Sequence, residues 1–214
     1  MRVAHKKKSR LVNSILQHIK DNIKAYFLVA IVLLIGIVLG VSFVNNLQEN
    51  QSQEVQSYIQ QFVETLKNGT NIDTGKLLSN SLRNNLILAI VMWFAGSTVI
   101  GIPIVLGIVG YRGFCLGYTV SSLIATLGTG KGSIFFITSM LLQNLILIPC
   151  MLALAVSGIK LYKSILKDKR KENIKGEIIR HTLFSVMMLI FLVIASFLEA
   201  YVSSNLFTLC IQLF

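Results

Sequence analysis

The stretch from Ala25 to Val44 carries no charged residue, and that feature decides which solvent the chain folds in. As a helix rising ~1.5 Å per residue, it is long enough to cross the ~30 Å hydrocarbon core of a bilayer. Further apolar runs, free of charge except for Glu199 in the last, occupy 86–109, 113–128, 133–159 and 182–202. Across the 214 residues 54% are hydrophobic and 14% charged, whereas soluble domains carry about a quarter charged residues. One aqueous core cannot hide that much apolar surface, so lipid must be the main solvent. The expected fold is all-α: a polytopic membrane helix bundle of about five transmembrane helices, with short amphipathic interfacial helices. Residues 25–214 form a single membrane domain behind a segment over 1–24.

Polar stretches set the expected boundaries. Residues 1–24 open on Lys6-Lys7-Lys8-Ser9-Arg10, and Leu11, Ile15, Ile19 and Ile23 then recur at every fourth position. This is the pattern of a basic amphipathic helix lying on an anionic surface. No small-x-small cleavage site follows Val44, so the first run is expected to remain as a span. In the polar segment 45–85, Val55, Tyr58, Ile59, Phe62, Val63 and Leu66 share one helical face, ended by Asn68-Gly69. Leu77, Leu78 and Leu82 predict a second short helix there. Pro103 lies inside the second run. Gly110-Tyr111-Arg112-Gly113 reads as a tight turn before the third, and Thr129-Gly130-Lys131-Gly132 as the next turn.

Lysine and arginine placement orients the bundle. Residues 1–24 hold seven, Arg112 adds one and the loop 160–181 holds eight, against three in 45–85 and one at Lys131. The N-terminus is therefore expected in the cytoplasm, with 45–85 and the C-terminus outside. The third run, at ~14 to 16 apolar residues, falls short of the usual ~20. It is expected to tilt or to sit in thinned bilayer, because a re-entrant hairpin would put the basic 160–181 loop outside. The net charge of +11 does not imply nucleic acid, since the basic residues flank apolar runs and no soluble binding fold carries a groove.

Polar groups within membrane spans are costly and mark sites. Glu199 is the carboxylate of the fifth run, readable as a water-exposed group beside Tyr201, a structural hydrogen bonder or an ion-transport residue. Gln143 and Asn144, near the midplane of the fourth run, suit interhelical hydrogen bonding. Pro103 and Pro149 deprive the Val99 and Leu145 carbonyls of their helical partners, giving either packing kinks or polar backbone facing a cavity. Gly36 and Gly40, with Gly107, Gly110, Gly113 and Gly117, indicate helices packed backbone to backbone. Ile59 and Phe62 on the 45–85 stripe must dock on lipid, on this protein's own spans or on a partner. Cys115, Cys150 and Cys210 lack CxxC spacing and read as small hydrophobes. No Walker motif, HExxH, GxSxG or supported acid–base pair is present, so neither catalysis nor a metal or other cofactor is expected.

Several segments resemble the stage II sporulation protein M family. They run from Ile15-Leu16-Gln17-His18-Ile19-Lys20-Asp21-Asn22-Ile23 through Gly101-Ile102-Pro103, Arg112-Gly113-Phe114 and Gly117-Tyr118-Thr119-Val120. The most specific are Gln143-Asn144-Leu145-Ile146-Leu147-Ile148-Pro149 and Phe197-Leu198-Glu199-Ala200-Tyr201-Val202-Ser203. Ser204 stands where the family pattern has proline. The resemblance implies a non-enzymatic scaffold in the cytoplasmic membrane, on the mother-cell side of the sporulation septum. It would localise two membrane-bound peptidoglycan-degrading enzymes, stage II sporulation proteins D and P, during forespore engulfment. Expected partners are those enzymes, the lipid bilayer and a second copy of the chain, with no nucleic acid; a transporter or permease-like subunit is the competing class.

Overall fold

The computed structural model describes residues 17–67, 73–98, 100–167 and 174–206. The first long helix, α1 (Ile23–Asn45), leads into α2 (Glu49–Lys67), α3 (Thr74–Gly96) and α4 (Gly101–Leu127). A single rod comes next, made of α5 (Thr129–Phe136), a π-helical segment π1 (Ile137–Leu141) and α6 (Leu142–Lys167). Last come α7 (Ile174–Phe197) and a second π-helical segment, π2 (Leu198–Ser203). Among the described residues, α1, α4, the α5–α6 rod and the α7–π2 rod are the four helices long and apolar enough to cross a membrane. The chain is a multi-pass helical bundle. α3 misses that apolarity because its first half is polar, yet Ala89, Met92 and Ala95 in its second half lie in the common core.

Helix α6 is the axis of the bundle. Its Leu147, Met151, Leu154, Ala155 and Val156 are fully buried, and α1, α3, α4 and α7 pack around it. Outward faces such as Phe27, Leu34, Val38, Leu183 and Ile190 stay exposed, the pattern of side chains solvated by lipid rather than by protein.

The expected boundary between the second and third runs is misplaced. Gly110-Tyr111-Arg112-Gly113 is not a turn but the middle of α4, so the run 86–109 is divided between α3 and α4 and the run 113–128 is the second half of α4. The helix break falls between Gly96 and Gly101 instead. There Ser97 Oγ donates to the Trp93 carbonyl at 2.8 Å and Thr98 Oγ1 to the Ala95 carbonyl at 3.0 Å, occupying the last acceptors of α3. Pro103 then sits in the first turn of α4, where its missing amide costs nothing, and it kinks no span. The glycines serve packing. A Cβ on Gly36 or Gly40 would collide with the Gly110 or Phe114 carbonyl, and one on Gly113 or Gly117 with the Leu33 or Ile37 carbonyl, so α1 and α4 touch backbone to backbone. With 27 residues α4 crosses ~40 Å, and the short-span problem disappears.

Other boundaries shift as well. The short helix at Leu77–Leu82 is the start of α3, capped by Asp73, whose Oδ1 accepts from the Lys76 amide at 3.0 Å. That amide bond, with Lys76 Nζ beside it, holds the Asp73 carboxyl below the usual carboxylate range. Gly128, at φ +82°, makes the turn assigned to 129–132, and Thr129 already lies in helix. The loop expected over 160–181 is helical up to Lys167 and again from Ile174. Leu11, Ile15 and the Asn68-Gly69 cap lie outside the described residues. Of the first amphipathic stripe, Ile19 is half-buried and Ile23 exposed, while the neighbouring His18 stacks on Phe184, its ring centroid 4.4 Å away. His18 thus anchors this segment on the bundle, while Gln17, Lys20 and Asp21 stay exposed.

Candidate functional site

Three of the sequence-predicted residues, from three helices, meet in one cavity at the α2 end of the bundle. It has a volume of about 500 Å³ and is lined by Asn80, Ser81, Asn84 and Asn85 of α3, Tyr111 and Arg112 of α4, Gln143 of α6 and Glu199 of π2. Both π segments serve this geometry. A π turn holds one extra residue and so rotates the helix beyond it by ~100° relative to an uninterrupted α-helix. π1 ends just before Gln143, π2 carries Glu199, and the two segments pack against each other.

The polar side chains form a partly satisfied network. Gln143 Nε2 donates to Ser81 Oγ at 3.4 Å, a long bond. Asn85 Nδ2 donates to Ser196 Oγ at 2.8 Å and to the Leu192 carbonyl at 3.3 Å, tying α3 to α7. Ser81 and Gln143 face the Glu199 carboxylate, and the Arg112 guanidinium attracts it across the cavity without closing a contact ion pair. Glu199 Oε2 and Arg112 Nε are both buried without a hydrogen-bond partner. Opposite charges inside a bundle stabilise each other, but unfilled valences on both sides leave the site unfinished.

The remaining expected site residues lie elsewhere. Asn144 is buried beside Gln143 but donates to the Met140 carbonyl of its own rod at 2.9 Å, its Oδ1 unpartnered. Pro103 and Pro149 are exposed on the perimeter and line neither this cavity nor the groove beside it. That groove, about 540 Å³, lies between α2 and the bundle and shares Leu77, Met140 and Glu199 with the polar cavity. Along it Val63 is buried against Leu123 and Phe135, with Ile59 and Leu66 half-buried beside them. Phe62 stands exposed at the rim, its ring 6.4 Å from that of Phe135, and Tyr58 is exposed too. The α2 stripe thus docks on this protein's own spans and leaves two aromatics outward.

Sequence reasoning does not single out Ser81 or Asn85, because it assigns 45–85 to a separate outer segment, nor Ser196, a small hydroxyl within an apolar run. Their signal is the i, i+4 spacing of Ser81 and Asn85 on one helical face. At the opposite end a second polar cavity, about 380 Å³, gathers His18, Asp21, Ser157, Lys160, Glu177 and His181. There His181 Nδ1 is 2.8 Å from Ser157 Oγ, and burial with nearby Lys160 holds the His18 imidazole below its ordinary pKa against a smaller pull from Asp21. Among the described residues no group of three or more metal-ligating side chains occurs.

Fold and site together define a multi-pass helical membrane protein with an intramembrane arginine–glutamate pair. The chain belongs to the stage II sporulation protein M family, whose sequence model matches residues 29–204. That match runs from α1 to the end of π2 and includes both Arg112 and Glu199. Membership makes it a sporulation-related membrane protein. It is also similar to an uncharacterized protein of Methanocaldococcus jannaschii, 27% identical over 179 residues, covering 81% of this chain and 90% of that one. No solved structure matches.

Proposed function

We propose that the protein is a non-enzymatic membrane scaffold that localises septal peptidoglycan-degrading enzymes during forespore engulfment, stage II sporulation proteins D and P being the partners. The observation that carries this reading is the outer platform. α2 is held on the bundle by Val63, Ile59 and Leu66, while Tyr58 and Phe62 remain available at its edge. Exposed aromatics on a fixed helix are efficient interface anchors because they lose little conformational freedom on binding. Moving Arg112 into the membrane leaves fifteen basic residues in the N-terminal and α6–α7 segments against four in the α2–α3 segment and at Lys131, so α2 faces outward from a cytoplasmic N-terminus.

The test replaces Tyr58 and Phe62 with serine, leaving the buried stripe intact. The scaffold reading expects normal protein levels, lost co-purification of the two enzymes and their dispersal from the septum. Unchanged recruitment would remove α2 as the docking face. A permease-like role is the second reading, favoured by one observation, the cavity that opens between Arg112 and Glu199. A Glu199→Gln variant that keeps enzyme recruitment but abolishes a measured flux would establish it.

A further inference from the structure

The cavity at Arg112 and Glu199 has a chemistry that the scaffold reading does not use. Its lining includes one cation and one anion, each with a buried atom lacking a partner, Arg112 Nε and Glu199 Oε2. One wall is apolar, built from Ile87, Leu88, Val91 and Ile108 where α3 and α4 face each other, and Ile87 and Val91 are also exposed on the perimeter. Asn80 and Asn84 line the cavity at the polar start of α3. Depth therefore sorts the lining: amides towards the α2 end, opposite charges next, hydrocarbon deeper. That is the order of head and tail in a lipid of the leaflet on the α2 side.

We propose that this cleft binds a phospholipid with an amine-bearing, zwitterionic head, its phosphate on Arg112, its ammonium on Glu199 and an acyl chain along Val91 and Ile108. Charge complementarity selects the occupant. An anionic lipid would satisfy Arg112 and be repelled by Glu199, whereas a head carrying both signs matches both charges. Arginine is suited to the phosphate because its planar fork can make two parallel bonds. The volume of about 500 Å³ falls within the ~300–1,000 Å³ of ligand pockets, enough for a head and the first part of a chain. The inference stands independently of enzyme recruitment, since Tyr58 and Phe62 do not line this cleft.

The experiment measures lipid retention by native mass spectrometry on the full chain extracted in mild detergent. Phosphatidylethanolamine, phosphatidylglycerol and soluble phosphoethanolamine are added separately. The expected result is phosphatidylethanolamine retained over phosphatidylglycerol by about tenfold, equivalent to ~1.4 kcal/mol. Glu199→Gln should erase that preference. Val91→Trp, on the lipid-facing wall and therefore tolerated by the fold, should lower retention of both lipids. Equal retention by the parent protein, or an undiminished preference in Glu199→Gln, would overturn the proposal. Soluble phosphoethanolamine displacing the lipid at equal concentration would overturn the lipid assignment, showing that a free zwitterion is the ligand. Should Glu199→Gln not elute as a single species, the Val91→Trp result decides alone, with unchanged retention counting against the cleft.

Discussion

Helix α4 has two faces that solve opposite problems within a few residues of each other. On one, Gly113 and Gly117 meet the Leu33 and Ile37 carbonyls of α1 so closely that no side chain fits. On the other, Arg112 opens into a cavity with unfilled polar valences. In lipid there is no hydrophobic force to press helices together, so the dry contact must come from surface fit, and small residues supply it. The wet face is energetically poor, and such sites persist in membranes when they serve binding or transport. The dry face fixes where α4 stands; the wet face is what that placement presents.

Breaking the dry face should have the largest effect. Gly113→Leu drives a side chain into the Leu33 carbonyl and should cost at least the ~1–3 kcal/mol of ordinary overpacking. Thermal unfolding in detergent would show it. Gly107→Leu is the matched control, because a Cβ there meets nothing within 4 Å, and it should leave stability unchanged. A loss at Gly107 as large as that at Gly113 would remove the distinction between the faces.

The wet face comes next. Glu199→Leu leaves Arg112 without its countercharge, and a cost of about 1–3 kcal/mol is expected, below the ~3–5 kcal/mol of a fully buried contact pair. Adding Arg112→Leu should recover part of it, since residues in one network are coupled by ~0.5–3 kcal/mol. Strictly additive single and double variants would mean that the two charges do not sense each other. Asn85→Leu, which removes the α3–α7 bonds to Ser196 and Leu192, should cost about 0.6 kcal/mol, the average for such contacts in membranes.

The smallest effect lies at the other end of the bundle. Burial and Lys160 keep His18 neutral more readily in the folded protein than in the unfolded chain. A base with a depressed folded pKa contributes its full stability above its unfolded value of about 6.5, and loses it as pH falls through the folded one. The unfolding temperature should thus drop slightly between pH 7.5 and pH 5, and His18→Phe should flatten that slope. An unchanged slope would assign the pH dependence to other groups.

The helical class, the membrane solvent and the α2 stripe are legible from composition and periodicity, because those depend on many residues at once. What fails depends on few. Glycine beside a charged residue signals a turn in water, so Gly110 to Gly113 reads as one, and Arg112 is sent to the opposite side of the membrane from Glu199. The true break at Ser97 and Thr98 relies on hydroxyls bonding back to carbonyls, which sequence patterns scarcely mark. With Arg112 inside a span, pairing with Glu199 arises from need, since α1, α3, α4 and the α5–α6 rod contain no carboxylate. Ser81 and Asn85 are lost with the same boundary. The π segments, which aim Gln143 and Glu199 at the cavity, leave no sequence signal that we recognise.

Everything about the site rests on α4 running unbroken through the membrane at Arg112. Single cysteines at Thr98 and Tyr111, in a chain cleared of Cys115, Cys150 and Cys210, can be probed with a membrane-impermeant maleimide in intact and opened vesicles. A continuous α4 predicts that Thr98→Cys is labelled from one side only, while Tyr111→Cys, half-way along α4 and lining the cavity, is labelled weakly and never from the side that labels Thr98→Cys. Labelling at Tyr111 with protection at Thr98 would put the turn back at 110–113 and separate Arg112 from Glu199.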